Sequence, residues 1–252
     1  MNIFKTVAAA VKRTLAISKK NIKIYYLKPP VLNYGLLFPV VMSLAFVIGR
    51  GMEPAQLTPS ILGVAVLFTA SAVGPLISPW ERMMKTYERV LAAPVSLWNN
   101  LLGDIISGFC FGLLISVVPL LIGRLFLGVP FFHPTHLVIV LLMSVFCFSA
   151  LGSLISALPT EMPQPAMMLA TLIRFPLVLV SGIFIPLPEL PTWAYWLAYL
   201  SPLTYAVDLF RWTLGQGNYL NIYFSYFLLL GFIIVLILGS KAAHQKGIEA
   251  MY

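Results

Sequence analysis

Arg174 is the charged side chain that falls deep inside an apolar run of this chain, the run 164–186. An arginine at the centre of a bilayer costs about 2.5–3.5 kcal/mol on insertion scales, so such residues are rare and usually paired or functional. In one interpretation, Arg174 lines a pathway and meets an anionic or polar group of a substrate. In the other, it is a structural cation that binds backbone carbonyls or a neighbouring acid. The sequence leaves both interpretations open.

His133 and His136 form the other group that could do chemistry, because two histidines three positions apart can ligate a metal ion. Pro134 argues against a regular helix between them, and no third ligand is nearby in the sequence. We therefore predict no metal site and interpret both residues as polar groups at a span boundary. Cys110 and Cys147 fall inside apolar runs, which favours helix packing over a disulfide.

Signatures of nucleotide-binding and hydrolytic enzymes are absent from the sequence. It contains no G-x-x-x-x-G-K-[ST] phosphate loop, no H-E-x-x-H and no G-x-S-x-G. We therefore expect that the chain by itself is not an enzyme, that it has no catalytic residues and that it carries no cofactor.

The composition is that of an integral membrane protein. Hydrophobic residues make up 60% of the 252 residues and charged residues only 10%, whereas a soluble domain has about 25% charged residues. The formal net charge of +8 indicates anchoring to the cytoplasmic membrane surface, and we expect no nucleic-acid partner.

Apolar runs long enough to cross a bilayer predict a single all-α domain, residues 1–252, with six transmembrane helices. The predicted spans cover residues 31–49, 58–79, 101–126, 137–158, 164–186 and 219–240. The two halves show no internal repeat, which weighs against an inverted-repeat secondary transporter.

Basic residues set the predicted orientation in the membrane. Twelve Lys and Arg lie in segments 1–28, 80–98 and 241–252, against three, Arg50, Arg124 and Arg211, in the opposite loops. Because cytoplasmic loops are enriched in Lys and Arg, both termini are predicted to be cytoplasmic, in a multi-pass protein of the plasma or inner membrane.

Segment 1–28 predicts an amphipathic helix at the membrane surface. It has seven basic residues and no acidic one, and its apolar residues share one side of a helical wheel. Pro29 and Pro30 end the helix. We expect it to bind acidic lipid, to pack on a cytoplasmic partner, or both.

Segment 187–211 is apolar, but its prolines leave no helix long enough to cross a bilayer. Only ten residues separate Pro191 from Pro202, and they include Trp193, Tyr195, Trp196 and Tyr199. Ten residues make about 15 Å of helix, roughly half a hydrocarbon core. The pattern is typical of an extracytoplasmic re-entrant hairpin, or of a surface loop with aromatic anchors.

This part of the chain resembles the C-terminal hallmark of type-2 ATP-binding-cassette (ABC) exporter permeases, SG-x-F-x-P, then LP, then PLTY-xx-D-xx-R. The matching residues are Ser181, Gly182, Phe184, Pro186, Leu190, Pro191, Pro202, Leu203, Thr204, Tyr205, Asp208 and Arg211. The resemblance implies that these residues build the extracytoplasmic hairpin between spans five and six.

A second stretch, within 80–98, resembles the coupling segment of the same family, which docks on the ATPase subunit. On physical grounds alone it is a solvated amphipathic loop helix. The resemblance implies a coupling role for Glu81, Arg82, Thr86, Glu88, Arg89, Leu91 and Pro94. Two positions depart from the family pattern. Val90 stands where relatives have the first of two leucines, and Asp104 stands where many have a lysine.

The resemblance implies a permease subunit of an ATP-driven exporter. Its partners would be a separate ABC ATPase, which would bind ATP and Mg²⁺, a second permease subunit, most simply an identical one, and membrane lipid. The substrate would be a drug, a lipid or another amphiphilic or lipid-linked molecule, moved out of the cytoplasm or inner leaflet. The alternatives are an ion-coupled secondary carrier, or an intramembrane enzyme or structural subunit.

Overall fold

The computed structural model describes residues 3–26, 54–87 and 95–249, together with positions 37 and 41. All regular elements within these ranges are helical, so the all-α prediction is confirmed there. The α-helices are α1 (Ile3–Asn21), α2 (Pro54–Ala70), α3 (Gly74–Met83), α4 (Leu97–Leu125), α5 (Pro134–Ser156), α6 (Pro163–Val180), α7 (Thr192–Tyr199), α8 (Pro202–Thr213) and α9 (Ile222–Glu249).

Five helical segments of the described chain are long and apolar enough to cross a membrane. They are Leu57–Met83, Leu97–Leu125, Pro134–Ser156, Pro163–Val180 and Ile222–Gly247. Each overlaps one of the predicted spans, and the chain is an integral membrane protein. The first predicted span, 31–49, lies outside the described residues except for positions 37 and 41, so a total of six stays a prediction.

The helices do not end where the apolar runs end. Helix α3 continues to Met83, into the segment predicted to begin the coupling region at residue 80. Helix α9 continues to Glu249, well past the predicted end at residue 240. The apolar pattern marks the part of a helix that lipid can cover, whereas a helix ends only where its backbone is interrupted or capped.

The second predicted span, 58–79, is broken in its middle. Helix α2 ends at Ala70 and α3 begins at Gly74, with a turn over Ser71–Val73 between them. Pro75 explains the break, because proline lacks the N–H that would bond to the carbonyl four residues back and its ring clashes with that group. The carbonyl concerned is that of Ser71, which is therefore left without its helical partner.

Helix α5 lies at the centre of the bundle, in contact with α2, α3, α4, α8 and α9. Small residues let the backbones meet at the break in the second span. A Cβ on Gly74 would lie 2.6 Å from the carbonyl carbon of Gly152, and one on Gly112 would lie 2.8 Å from the Cβ of Ala70. Glycines at such contacts are the usual means of close helix packing in membranes.

Helix α1 packs along α4 with an unexpected orientation. Its buried residues are polar, Thr14, Ser18 and Asn21, while Val11 and Leu15 are more than half exposed. The helix is therefore amphipathic in the reverse sense to that of a soluble bundle, with apolar side chains on its outer face. This arrangement suits a helix whose outer face meets lipid, but its position along a membrane surface stays a prediction.

Candidate functional sites at the two ends of the bundle

Glu81 lies inside the structure rather than on an open docking surface. It is 3% exposed and forms an ion pair with Lys20 of α1. In the π-helical turn Ile22–Tyr26 that follows α1, the ring of Tyr25 stacks on Trp80 at 5.6 Å between centroids. The last turns of α3 are thus attached to the end of α1 by one charged and one aromatic contact.

Arg82, the next residue, points to a different part of the chain. Its Nη1 donates to the carbonyl of Leu158 at 2.6 Å and lies 3.3 Å from that of Thr160. These carbonyls belong to the connection between α5 and α6. The guanidinium carbon lies 4.9 Å from the ring centre of Tyr87, and burial raises the pKa of the Tyr87 hydroxyl. Arg82 therefore holds three neighbouring segments together.

Helix α4 meets α1 at the same level. Asn21 Nδ2 donates to Asp104 Oδ1 at 2.6 Å, and both side chains are buried. A Cβ on Gly103 would lie 2.6 Å from Ile17 of α1, so the two helices are in backbone-level contact. We call the set Lys20, Asn21, Glu81, Arg82 and Asp104 the α1 junction.

The structure brings together three of the predicted coupling residues, Glu81, Arg82 and Thr86. Thr86 closes the end of α3, since its N–H and hydroxyl both donate to the carbonyl of Glu81, at 2.9 and 3.2 Å. The other coupling residues, Glu88, Arg89, Leu91 and Pro94, lie outside the described residues. The coupling role of the whole set stays a prediction.

Sequence reasoning missed Lys20 and Asn21 as partners of this region. A signal was available, because Thr14, Ser18 and Asn21 recur every three or four residues, which places them on one face of a helix. The prediction for 1–28 considered only the apolar and basic residues of this helix, whereas the polar stripe packs against α4.

Arg174 is buried, at 4% exposure, on the inner face of α6. Its Nε donates to the Ser71 hydroxyl at 2.9 Å, and its Nη2 donates to the Ser71 carbonyl, the group that Pro75 leaves without a helical partner. The guanidinium carbon also lies 5.8 Å from the ring centre of Phe68. These contacts favour the structural interpretation of Arg174. Its contact with a substrate stays a prediction.

The segment predicted as a hairpin begins with a tight turn after α6. Ser181 is buried and donates to the carbonyl of Val178 at 2.9 Å. Gly182 has φ +78°, which favours glycine, and a Cβ there would lie 3.1 Å from Leu187. After Pro186 the chain forms a single 3₁₀ turn, Leu187–Glu189. Phe184 is half-buried against the main core.

Helices α7 and α8 are short, with 8 and 12 residues, and differ in burial. Trp193 and Trp196 of α7, which begins after its N-cap Pro191, are each 69% exposed. Helix α8, which begins at Pro202, is buried between α2, α5 and α9. These lengths fit segments that enter a membrane without crossing it, and the re-entrant path itself stays a prediction.

The PLTY-xx-D-xx-R residues fasten α8 at both ends. The Tyr205 hydroxyl donates to the carbonyl of Tyr199 at 2.8 Å. Asp208 accepts from the N–H of Tyr219 at 2.6 Å and from that of Leu220 at 3.3 Å. Burial raises the pKa of the Asp208 carboxyl, against the opposing effect of these two donors. The guanidinium carbon of Arg211 lies 4.5 Å from the ring centre of Tyr219.

His133 and His136 take part in an aromatic cluster that the sequence did not indicate. His133 stacks on Trp212 at 4.4 Å, and His136 Nδ1 lies 3.1 Å from the Tyr226 hydroxyl. An open cavity of about 400 Å³ lies between the first turns of α5 and α9. It is lined by His136, Ile139, Trp212, Ile222, Tyr223 and Tyr226. The histidines thus join the connection before α5 to the end of α8.

A comparison with protein families finds a match to the family described as ABC-2 type transporter, over residues 8–214. The matched range contains the α1 junction, Arg174 and helix α8, and it ends just after α8. No curated protein matches the chain.

Proposed function

Because the chain belongs to the ABC-2 type transporter family, as its permease component, we propose that it forms the membrane pathway of an ATP-driven exporter. The observation that carries the proposal is the family match over 8–214, which spans the coupling segment and the hairpin segment together. The proposed substrate is a drug, a lipid or another amphiphilic or lipid-linked molecule, moved away from the cytoplasm or inner leaflet. The five apolar helical segments supply the membrane domain that such a pathway requires.

An ABC-2 permease works with an ATP-binding-cassette subunit, and the permease itself is not catalytic. We propose that ATP and Mg²⁺ are bound by that separate subunit and that residues 80–98 receive its motion. The α1 junction supports this route, because Glu81 is bonded to α1 and Arg82 to the α5–α6 connection. A push on the segment after Met83 would therefore reach two parts of the bundle, α1 and the α5–α6 connection, through direct side-chain contacts.

A second copy of the chain is the proposed partner within the membrane, with lipid around both. The outer face of α6 supports this proposal, because its exposed residues Met168, Leu172, Phe175 and Leu179 form one apolar stripe. Such a face requires cover by lipid or by another transmembrane surface.

Charge reversal in the predicted coupling segment tests the function. We expect Glu88→Lys to abolish ATP-driven transport while the permease still folds, because surface charge changes usually cost little stability. The measurement is ATP-dependent substrate movement in vesicles that contain the permease and its ATPase subunit, beside a thermal melt of the same preparation. Glu161→Lys, an exposed acid in the α5–α6 connection, is the matched control. Normal transport by Glu88→Lys would contradict the coupling role.

Orientation is tested by cysteine accessibility in intact cells. We expect single cysteines at Lys5 and Lys246 to resist a membrane-impermeant thiol reagent and one at Glu189 to react. The background chain has Cys110 and Cys147 replaced by serine, so that the introduced thiol is the only one. Labelling of both termini from outside would reverse the proposed topology, while absence of labelling at Glu189 alone would place the 3₁₀ turn away from the outer surface.

A further inference from the structure

Two buried oxygen atoms at the contact between α1 and α4 have no hydrogen-bond partner among the residues that the structure describes. The Asn21 amide donates from Nδ2 to Asp104 Oδ1 at 2.6 Å, which leaves Asn21 Oδ1 and Asp104 Oδ2. Neither of these two atoms is hydrogen-bonded, although the residues are 0% and 3% exposed. Both atoms are acceptors when Asp104 is ionised, so this arrangement lacks a hydrogen rather than an acceptor.

The surrounding charges do not offset a charge on Asp104. Among the described residues that face it, Lys20 is the cation, and its ammonium group is paired with Glu81. The other titratable groups nearby are the hydroxyls of Tyr25, Tyr26 and Tyr87. An ionised Asp104 would therefore be a second buried negative charge beside Glu81, in surroundings where an unpaired charge is strongly unfavourable.

The Tyr26 hydroxyl is a further neutral polar group at this contact. It is buried beside the Ser107 side chain, has no hydrogen bond of normal geometry to a described residue, and would lie 3.0 Å from a Cβ placed on Gly108, one turn of α4 beyond Asp104. Burial raises the pKa of this hydroxyl, so it keeps its hydrogen. The contact between α1 and α4 is thus made of neutral polar groups, with Asp104 as the exception if it is ionised.

We propose that Asp104 is a proton-binding site, and that its protonated carboxyl and the Asn21 amide join α1 to α4 as a neutral acid–amide pair. One proton converts the carboxyl from an acceptor into a donor and a remaining acceptor. The amide N–H then donates to one carboxyl oxygen, while the carboxyl O–H supplies the donor that the amide oxygen lacks. The joint between the N-terminal helix and the span α4 depends on that proton.

Infrared spectroscopy of the purified full chain tests the proposal directly. At pH 7 the parent should show a carbonyl band of a protonated carboxylic acid that is absent from Asp104→Asn. Asparagine is nearly isosteric and can form an amide–amide pair with Asn21, so we expect the variant to fold. Glu161→Gln removes an exposed acid and should leave the band unchanged. A parent spectrum without the band, or a band that persists in Asp104→Asn, would overturn the proposal.

Thermal melting as a function of pH provides the second measurement. The folded chain holds a proton on Asp104 that an unfolded aspartate loses above a pKa of about 4. The contribution of Asp104 to stability is therefore greatest at low pH and falls as pH rises. The melting temperature of the parent should therefore fall relative to Asp104→Asn by about 3–5 °C per pH unit while the folded chain keeps the proton. A constant difference between the two proteins would contradict the assignment.

A metal ion in place of the proton gives a different result in the same assay. Exchange of NaCl or KCl for choline chloride at constant ionic strength should leave the melting temperature of the parent unchanged. If Na⁺ or K⁺ raises it at fixed pH, and does not raise that of Asp104→Asn, the site binds a metal cation and the proton assignment is wrong.

Discussion

Replacement of Gly74 with alanine should destabilise the bundle, although it adds a single methyl group. The new Cβ would lie 2.6 Å from the carbonyl carbon of Gly152 and 2.9 Å from its Cα. Both are backbone atoms, which cannot rotate out of the way as a side chain can. The helices must therefore separate, and overpacking of this kind typically costs about 1–3 kcal/mol.

The measurement is the melting temperature of the purified chain in one detergent, where about 1 kcal/mol corresponds to about 2–4 °C for a chain of this length. Gly231→Ala in α9 is the matched control, because no atom of the described residues lies within 4 Å of its added Cβ. Alanine is favoured over glycine in a helix by about 1 kcal/mol, so the control should melt no lower than the parent. Equal melting of Gly74→Ala and the parent would show that α3 and α5 are not in backbone contact at this position.

The sequence predicted the helical architecture of the described chain to within a few residues at most span ends. Hydropathy works well here because lipid requires a long apolar surface and a helix that satisfies its own backbone groups. The short helix α7 was also predictable, since Pro191 and Pro202 limit the helix between them to a length that cannot cross a bilayer, while the hairpin path itself stays a prediction. The ends of helices that continue beyond their apolar run, such as the end of α9 at Glu249, could not be predicted, because polar residues can continue a helix into water.

The break in the second span could have been suspected from Pro75 alone, but its position in the bundle could not. Prolines also lie inside α4, at Pro119, and inside α6, at Pro176, and neither ends its helix. What distinguishes Pro75 is the close approach of Gly152 and the donor that α6 supplies to the Ser71 carbonyl. Both are contacts between residues far apart in the chain, which local patterns do not encode.

The coupling segment shows the same limit of local patterns. The resemblance predicts that Glu81 and Arg82 belong to a segment that receives the motion of an ATPase subunit, and the contacts place both inside the α1 junction. These statements agree if the docking surface lies after Met83 and Glu81 and Arg82 pass the motion to the helices that they contact. If the proposed coupling role holds, we expect contact at the segment after Met83 to move α3, and α3 to move α1 and the α5–α6 connection through Lys20 and Leu158.

Arg174 and the Ser71 turn each have a feature that is costly in a membrane, and each supplies what the other lacks. A buried guanidinium needs acceptors, and an interrupted helix needs donors for its free carbonyl groups. Arg174 donates to the carbonyl and the hydroxyl of Ser71, so one residue of α6 closes the break in the second span. The same contact holds α6 to the bundle, and with it the start of the hairpin segment.

We therefore expect Arg174→Gln to lower the melting temperature in the absence of any substrate. Glutamine is shorter and has two N–H donors instead of five, so the Ser71 carbonyl loses its partner at a cost of about 1–3 kcal/mol. The melting temperature of Arg174→Lys should lie between those of the parent and Arg174→Gln. An ammonium group can keep a hydrogen bond to the Ser71 carbonyl, but it lacks the planar pair of donors of a guanidinium. Arg124→Gln is the matched control, since Arg124 is exposed at the end of α4 and makes a long hydrogen bond of 3.3 Å to the Val129 carbonyl.

The same preparations separate the two roles of Arg174 when ATP hydrolysis by the complex with its ATPase subunit is also measured. A structural arginine predicts a lower melting temperature for Arg174→Gln, with the stimulation of hydrolysis by dodecyl phosphate and by neutral dodecyl maltoside changed alike. A substrate-binding arginine predicts an unchanged or higher melting temperature, because removal of a buried cation is itself favourable, and a selective loss of stimulation by the anionic amphiphile. The contacts with Ser71 lead us to expect the first result, and the second would show that the guanidinium leaves Ser71 to meet an anionic group.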